Sequence, residues 1–135
     1  MNRGRTHVRL WVTLLVIGHF VIAIAHGLAH HEAQVLLSGA SSLFVFAVIL
    51  AGPLAGLVLT RSAERLGSWI IAITMAAAFV FGLVNHFVIA GPDRVDHVTG
   101  QSRPLFATTA VLLASSEVVG AGLAIRLARE RIAPS

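Results

Sequence analysis

The sequence of 135 residues contains no cysteine, no lysine and few charged side chains. Without cysteine the chain cannot form a disulfide, a thiolate zinc site or an iron–sulfur cluster, so any metal ligand must be a histidine or a carboxylate. The lack of lysine, beside abundant Ala, Gly, Val, Leu and Arg, is typical of a high-GC bacterial genome. Only 12% of the residues are charged and 56% are hydrophobic. We therefore expect a single integral membrane domain, residues 1–135, rather than a soluble fold.

Four apolar stretches are long enough to cross a bilayer as helices. The hydrocarbon core is about 30 Å thick, and a helix needs about 20 apolar residues to span it. The stretches that fit are approximately Leu10–His30, Leu43–Thr60, Trp69–Ala90 and Leu105–Leu127. Short links join them, which predicts an all-α, up-down-up-down bundle of four transmembrane helices. Gly52-Pro53 should kink the second helix, because proline removes a backbone donor.

The arginines predict the orientation of the bundle. Eight of the ten fall on one side of the predicted topology: Arg3, Arg5, Arg9, Arg61, Arg65, Arg126, Arg129 and Arg131. By the positive-inside rule both termini are expected in the cytoplasm, which fits a multi-pass protein of the bacterial inner membrane. The arginines stand at the ends of apolar runs and do not alternate with aromatic residues, so nothing indicates nucleic-acid binding.

An alternative reading makes the N-terminal segment a signal peptide. Its basic start, its apolar core and Ala23-Ile24-Ala25 resemble a cleavage site, and removal would leave His26 at the new N-terminus. The apolar run is long enough to span and continues to His30, and cleavage would disturb a consistent charge pattern. We therefore expect the first span to be retained, and the mass of the intact protein would test this.

Histidines form a stripe on the first span. His19, His26 and His30 are separated by seven and four positions and fall within about 40° of one another on a helix. His86 lies in the third span at the same depth as His26. The loop that follows it carries Asp93, Asp96 and His97.

This grouping predicts a metal site toward the outer side of the membrane. Imidazole and carboxylate together suit zinc, copper and iron, and two histidines one helical turn apart occur in zinc sites. The predicted ligands are His26, His30, His86, His97, Asp93 and Asp96, with Glu32 as a further candidate. The alternative cofactor is haem b, held across the bundle by His26 and His86 as axial ligands.

Glu117 stands near the middle of the fourth span. An ionised carboxylate at that depth costs several kcal/mol, so the group should have a partner. Small residues share its helix face and indicate that it points into the bundle: Ala110, Ala114, Gly120, Ala121 and Ala124. His19 lies at a comparable depth, and we predict an intramembrane polar pair of His19 and Glu117. Ser116, Thr108 and Thr109 are weaker candidates for the same role.

The functional hypothesis is a small binding or accessory protein, rather than an enzyme, with an outward-facing pocket that holds a metal ion or haem. One alternative is a proton-linked transporter, since chains of histidine and carboxylate carry protons. Another is a structural or assembly subunit whose polar residues only fix helix packing. The expected partners are the lipid bilayer and either further copies of the chain or a larger membrane complex, without nucleic acid.

The second half of the chain resembles a group of small four-span bacterial membrane proteins to which no activity is attached. The resemblance is carried by His86-Phe87, by Gly91-Pro92-Asp93 and Asp96-His97-Val98 in the following loop, and by Glu117. It covers most of the third and fourth spans and the loop between them. It implies the four-span architecture and supplies no mechanism.

Overall fold

A computed structural model describes residues 3–130 of the chain. Within this range 80% of the residues are helical and no strand is present. Arg131, one of the arginines that predict the orientation, lies outside the described residues. Four helices are long and apolar enough to cross a membrane. We name them α1 (Arg3–Glu32), α2 (Gly39–Leu59), α3 (Glu64–Val88) and α4 (Arg103–Arg129).

The four-helix fold agrees with the sequence prediction, and its apolar outer surface is the feature that a membrane would cover. On α1 six large apolar residues stand at helical spacing on one face and are 48–60% exposed: Leu10, Leu14, Ile17, Val21, Ile24 and Leu28. A soluble monomer rarely exposes a continuous apolar face of this kind. This surface is therefore suited to contact with the hydrocarbon of a bilayer.

The half of the bundle that holds the described chain ends is filled by apolar side chains. They come from α1, α3 and α4: Val8, Val12, Val16, Ile71, Ala72, Met75, Ala121, Ala124 and Leu127. At the edge of this core Arg5 pairs with the Glu64 carboxylate and donates to the Glu130 carbonyl oxygen at 3.4 Å. The starts of α1 and α3 and the end of α4 therefore lie together.

Helix α2 is not interrupted at Gly52-Pro53, although its geometry changes there. A π-helical turn, Val45–Ala51, precedes the proline, and an α-helix continues over Gly52–Leu59. Proline has no N–H, so the carbonyl of Ile49, four residues earlier, loses its α-helical donor. The consequence of Gly52-Pro53 is a widened turn inside a continuous helix.

Close packing joins α2 to α3 through glycines. A Cβ on Gly67 would lie 2.5 Å from the backbone oxygen of Gly56, and a Cβ on Gly56 would lie 2.7 Å from the Ile71 side chain. Helix α4 packs against both α1 and α3, whereas α1 and α2 contact each other much less. The ring of helices is therefore loosest between α1 and α2.

Candidate metal centre

Three histidines converge at the end of the bundle away from the described chain ends. His26 and His30 stand one turn apart on α1, and His86 comes from α3. The Nε2 atoms of His26 and His86 are 3.1 Å apart, and the ligand atoms of all three lie within 4.8 Å of one another. Each side chain is buried. The group, named here the histidine cluster, could bind a metal ion.

A second π-helical turn, Val84–Val88, carries His86. Its extra residue changes the direction in which a side chain leaves the helix, and such turns are frequent at functional sites. The turn ends where Ile89 takes an extended conformation. The loop then folds back, and the Val95 N–H donates to the His86 carbonyl at 3.0 Å. The π-turn and the folded loop thus fix both the ring and the backbone of His86.

The orientation of the His26 ring is fixed by Thr109 of α4. His26 Nδ1 lies 2.8 Å from Thr109 Oγ1. The hydroxyl also lies 2.7 Å from the Leu105 carbonyl oxygen and 3.1 Å from that of Phe106. When the hydroxyl donates to a carbonyl it accepts from His26, whose proton is then on Nδ1 and whose Nε2 carries a lone pair. When the hydroxyl donates to His26 Nδ1, the proton is on Nε2 and is donated to His86 Nε2.

His30 and His86 are held in the same way by backbone carbonyls. His86 Nδ1 lies 3.0 Å from the Asp93 carbonyl oxygen, and His30 Nδ1 lies 3.3 Å from that of Val35. A carbonyl oxygen only accepts, so both histidines carry their proton on Nδ1. A histidine that binds a metal through one nitrogen donates its other N–H to an acceptor in this manner.

With the proton of His26 on Nδ1, the Nε2 atoms of His26 and His86 present lone pairs to each other at 3.1 Å. Two lone pairs at this distance repel unless a proton or a metal ion lies between them. A proton can bridge these two nitrogens, whereas a metal ion can bind Nε2 of His30 as well. Two nitrogens bound to a tetrahedral zinc ion lie about 3.3 Å apart. The spacing of His26 and His86 is close to this value.

Asp93 places a carboxylate beside the histidine cluster. Its Oδ1 atom lies 3.3 Å from His30 Nε2 and 3.4 Å from His86 Nδ1. This oxygen is buried and makes no hydrogen bond among residues 3–130. Burial alone would raise the pKa of Asp93, but the adjoining His86 ring, with charge at His30 and His26, lowers the pKa below its usual value. The carboxylate is thus ionised near neutral pH and suited to a positive ion.

Apolar side chains close the cluster from the loop side. The Phe106 ring is fully buried, with its centroid 4.8 to 5.4 Å from the three imidazole centroids. Ala29, Val35 and Val98 pack around it. Exclusion of water strengthens the attraction between a bound cation and its ligands.

The other predicted ligands lie outside this centre. Asp96 pairs with Arg94 on the exposed loop, and the hydrogen bond from that guanidinium lowers the pKa of Asp96 to about 2. His97 is exposed, and its Nδ1 lies 2.7 Å from the Gly91 carbonyl oxygen. Glu32 is exposed as well. Of the loop residues predicted as ligands, the structure brings only Asp93 to the cluster.

His19 and Glu117 are both buried, but no hydrogen bond joins their side chains. His19 Nε2 donates to the Ile49 carbonyl at 3.2 Å. This is the carbonyl that has no α-helical donor, because Pro53 lacks an N–H. His19 Nδ1 lies 3.3 Å from Ser116 Oγ. The predicted pairing of His19 with Glu117 is therefore replaced by a pairing with Ser116, the residue before Glu117. Both ring nitrogens of His19 have partners.

Glu117 instead faces a cavity of about 500 Å³. Its side chain is 2% exposed and makes no hydrogen bond within the described part of the chain. The cavity also reaches His26, His30, His86 and Asp93, and its remaining walls are mostly apolar residues of α1, α2, α3 and α4. The histidine cluster and Glu117 thus share one internal space.

Several features of the centre were not predicted from the sequence. The π-turn at His86 has no recognised sequence signal. Thr109 was weighed only as a partner for Glu117, although it lies two helical turns from Glu117 toward the cluster, where His26 needs a hydrogen-bond partner. The Val35 and Asp93 carbonyls are backbone groups, which side-chain patterns do not reveal.

Comparisons with protein-family models, with curated proteins and with solved structures find no match for this chain. The interpretation of the histidine cluster and of the four apolar helices therefore rests on the sequence and the structure of this chain.

Proposed function

We propose that this protein is a multi-pass membrane protein that binds one divalent transition-metal ion through Nε2 of His26, His30 and His86. The observation that carries the proposal is the common orientation of the three rings. Each Nδ1 lies within hydrogen-bond distance of an oxygen of the protein, and in the tautomer with Nδ1–H each Nε2 can bind a shared cation. The ligands are thus oriented before the metal arrives.

Zinc is the ion that this ligand set favours. Neutral imidazole and carboxylate suit zinc and iron. The soft ligands that select Cu(I) are thiolates and thioethers, but the chain has no cysteine and Met75 lies in the apolar core. Asp93 is the candidate for the fourth position. Its carboxylate completes a tetrahedral His₃Asp set when it turns to the ion, and it leaves an open position when it does not.

Haem fits the cluster less well than an ion. Axial histidines of a haem stand on opposite faces of a flat macrocycle. Here the His26 and His86 rings contact each other, with centroids 4.8 Å apart and planes at 85°. His30 and Phe106 pack against the same rings. A porphyrin would have to separate all four.

The arginine distribution supports a centre that faces away from the cytoplasm. The described arginines near the chain ends and between α2 and α3 lie at the opposite end of the bundle from the histidine cluster. Under the positive-inside rule that end is cytoplasmic, so the cluster faces outward, in a bacterial cell into the periplasm.

A role in holding the ion is better supported than transport across the membrane. The half of the bundle beyond Glu117 is filled by the apolar core of α1, α3 and α4. The buried polar side chains of that half include Thr60 and Ser68, whose hydroxyls donate to carbonyls of their own helices and do not extend a path from Glu117. The protein is then a metal-binding or accessory component, alone or within a larger membrane complex.

Metal analysis of the purified protein tests the proposal. We expect one zinc ion per chain after equilibration of the metal-free protein, and a tetrahedral Co(II) absorption spectrum when cobalt replaces zinc. Asp93→Asn should weaken binding and change the cobalt spectrum. The matched control is Asp96→Asn, which removes a carboxylate of the same loop that pairs with Arg94.

Two outcomes would overturn the proposal. A Soret band in the purified protein would assign the histidines to haem. Substoichiometric metal in the wild type, unchanged by His26→Ala, would leave the histidines with a packing role.

A further inference from the structure

The cavity beside the histidine cluster opens toward the surrounding lipid. Its wall includes Ile24 and Gly27 of α1, Leu36 of the link before α2, and Phe46 of α2, all of which are exposed on the outer surface. These residues line the gap where α1 and α2 pack weakly. A molecule dissolved in the bilayer can therefore reach the cavity sideways, without passing through water.

The deep part of the cavity contains one unpartnered polar group, the Glu117 carboxyl. This group is 2% exposed, lines the cavity and has no hydrogen-bond partner in the span from residue 3 to residue 130. Around it stand apolar side chains such as Leu113 and Phe81. A hydrogen bond to this carboxyl would therefore be favourable in such apolar surroundings. A ligand that supplies one polar atom and an apolar body would complement this wall.

We propose that the cavity binds an uncharged, hydroxyl-bearing lipid whose hydroxyl group meets Glu117. A hydroxyl both donates and accepts, so it can pair with the carboxyl in either protonation state. An ionised head group would have to be desolvated near the middle of the bundle. A volume of about 500 Å³ lies in the ordinary range for small-molecule pockets. The apolar chain of the ligand leaves through the gap between α1 and α2.

This site is distinct from the proposed metal centre, although both open on the same cavity. The hydroxyl site depends on Glu117 and on the lateral gap. The metal site depends on His26, His30 and His86. Metal content and lipid binding can therefore be measured as separate quantities on the same preparation.

Photolabelling in liposomes tests the inference. The probe is a long-chain primary alcohol that carries a diazirine in its chain, and labelled residues are identified by mass spectrometry. We expect saturable labelling at the cavity walls of α1 and α2, displaced by excess unlabelled oleyl alcohol. The corresponding methyl ether, which cannot donate, should compete less well.

Two variants probe the two parts of the site. Glu117→Leu should reduce the saturable labelling about tenfold, in line with the loss of one buried hydrogen bond, whereas Glu117→Gln should retain most of it. Gly27→Leu should block the gap, because a Cβ there has no heavy atom within 4 Å on the structure and the side chain has room to fill it.

Gly122→Leu is the matched control. Gly122 also has open space around a Cβ, but it lies on the exposed face of α4, away from the cavity. Labelling should be unaffected by this change. The inference is overturned if labelling is non-saturable, or if the Glu117→Leu and Gly27→Leu proteins, shown to be folded by circular dichroism, are labelled as strongly as the wild type. Loss of zinc binding alone would contradict only the metal proposal.

Discussion

His19 is buried on the same face of α1 as His26 and His30 of the histidine cluster, yet its surroundings differ from theirs. Both ring nitrogens of His19 have partners, the Ile49 carbonyl and the Ser116 hydroxyl. In the cluster each histidine uses Nδ1 in a hydrogen bond and directs Nε2 toward the other rings. A buried histidine is therefore not by itself a ligand. The difference is that Nε2 of His26 faces another imidazole nitrogen, whereas both nitrogens of His19 face oxygens.

The largest expected difference is in metal affinity. His86→Ala removes one of three ligands and should reduce zinc affinity by more than about 100-fold, beyond the 10- to 100-fold typical of outer partners. His19→Ala should leave zinc stoichiometry and affinity unchanged. Both variants can be titrated with zinc in detergent against a chelator. Equal losses of zinc affinity in the two variants would show that the two histidine environments do not differ in metal binding.

Protons should compete with the metal at the cluster. Zinc binds neutral imidazole, whose ordinary pKa is about 6.5, so affinity should be highest above this pH and fall as pH decreases. The affinity should fall by up to about tenfold per pH unit for each imidazole that takes up a proton. Zinc titrations between pH 5 and pH 8 measure this slope.

Asp93 should contribute little to that pH dependence. Its pKa lies below the usual value despite burial, so the carboxylate stays ionised across this whole range. Asp93→Asn should then lower affinity at every pH without flattening the curve. A flat profile in the Asp93→Asn protein would mean that the carboxylate, and not the imidazoles, is the titrating group.

Thr109 provides a smaller test of the ring orientations. Thr109→Val keeps the shape of the side chain but removes the hydrogen-bond partner of His26 Nδ1. Zinc affinity should fall about 10- to 100-fold, the usual effect of losing a partner that orients a ligand. Thr108→Val is the matched control, since Thr108 is exposed on the adjacent position of α4. Comparable losses for both threonines would contradict the assigned role.

The smallest expected effect concerns stability at His19. His19→Ala leaves the Ile49 carbonyl without its side-chain donor and should lower the free energy of unfolding by about 1–3 kcal/mol. Pro53→Ala restores a backbone N–H four residues after Ile49. In that background His19→Ala should cost less. Unfolding of the wild type, the two single variants and the double variant in mixed micelles gives the coupling energy. Additive changes in the free energy of unfolding would contradict the proposed link between His19 and Pro53.

The two π-turns show how the structure differs from a regular-helix expectation. Regular geometry at 100° per residue places His26 and His30 together correctly, because α1 is a continuous α-helix. It gives no reliable direction for His86, which sits on the π-turn Val84–Val88. Pro53 predicted a disturbance of the second span, which the structure shows as the π-turn Val45–Ala51. The sequence did not predict that His19 of α1 would donate to the Ile49 carbonyl.

The candidate ligands also differ in how well regular helix geometry predicts their positions. His26 and His30 follow from their spacing on one helix. His86 was predicted only from its depth in the third span, which matches that of His26 in the first span. Asp93, Asp96 and His97 were equivalent in the sequence, because a loop has no periodicity from which to infer direction. The folded loop separates them, with Asp93 at the cluster and Asp96 paired with Arg94.

The sequence by itself determined the four apolar helices, the exclusion of thiolate metal chemistry and the histidine stripe of α1. These follow from composition and from the period of a regular helix, which are local properties. Tertiary structure decided which histidines face one another, which carboxylate joins them and which one is left facing a cavity. Hydrogen-bond partners come from other helices and from backbone carbonyls. Which imidazole nitrogens face one another is therefore a property of the packed bundle.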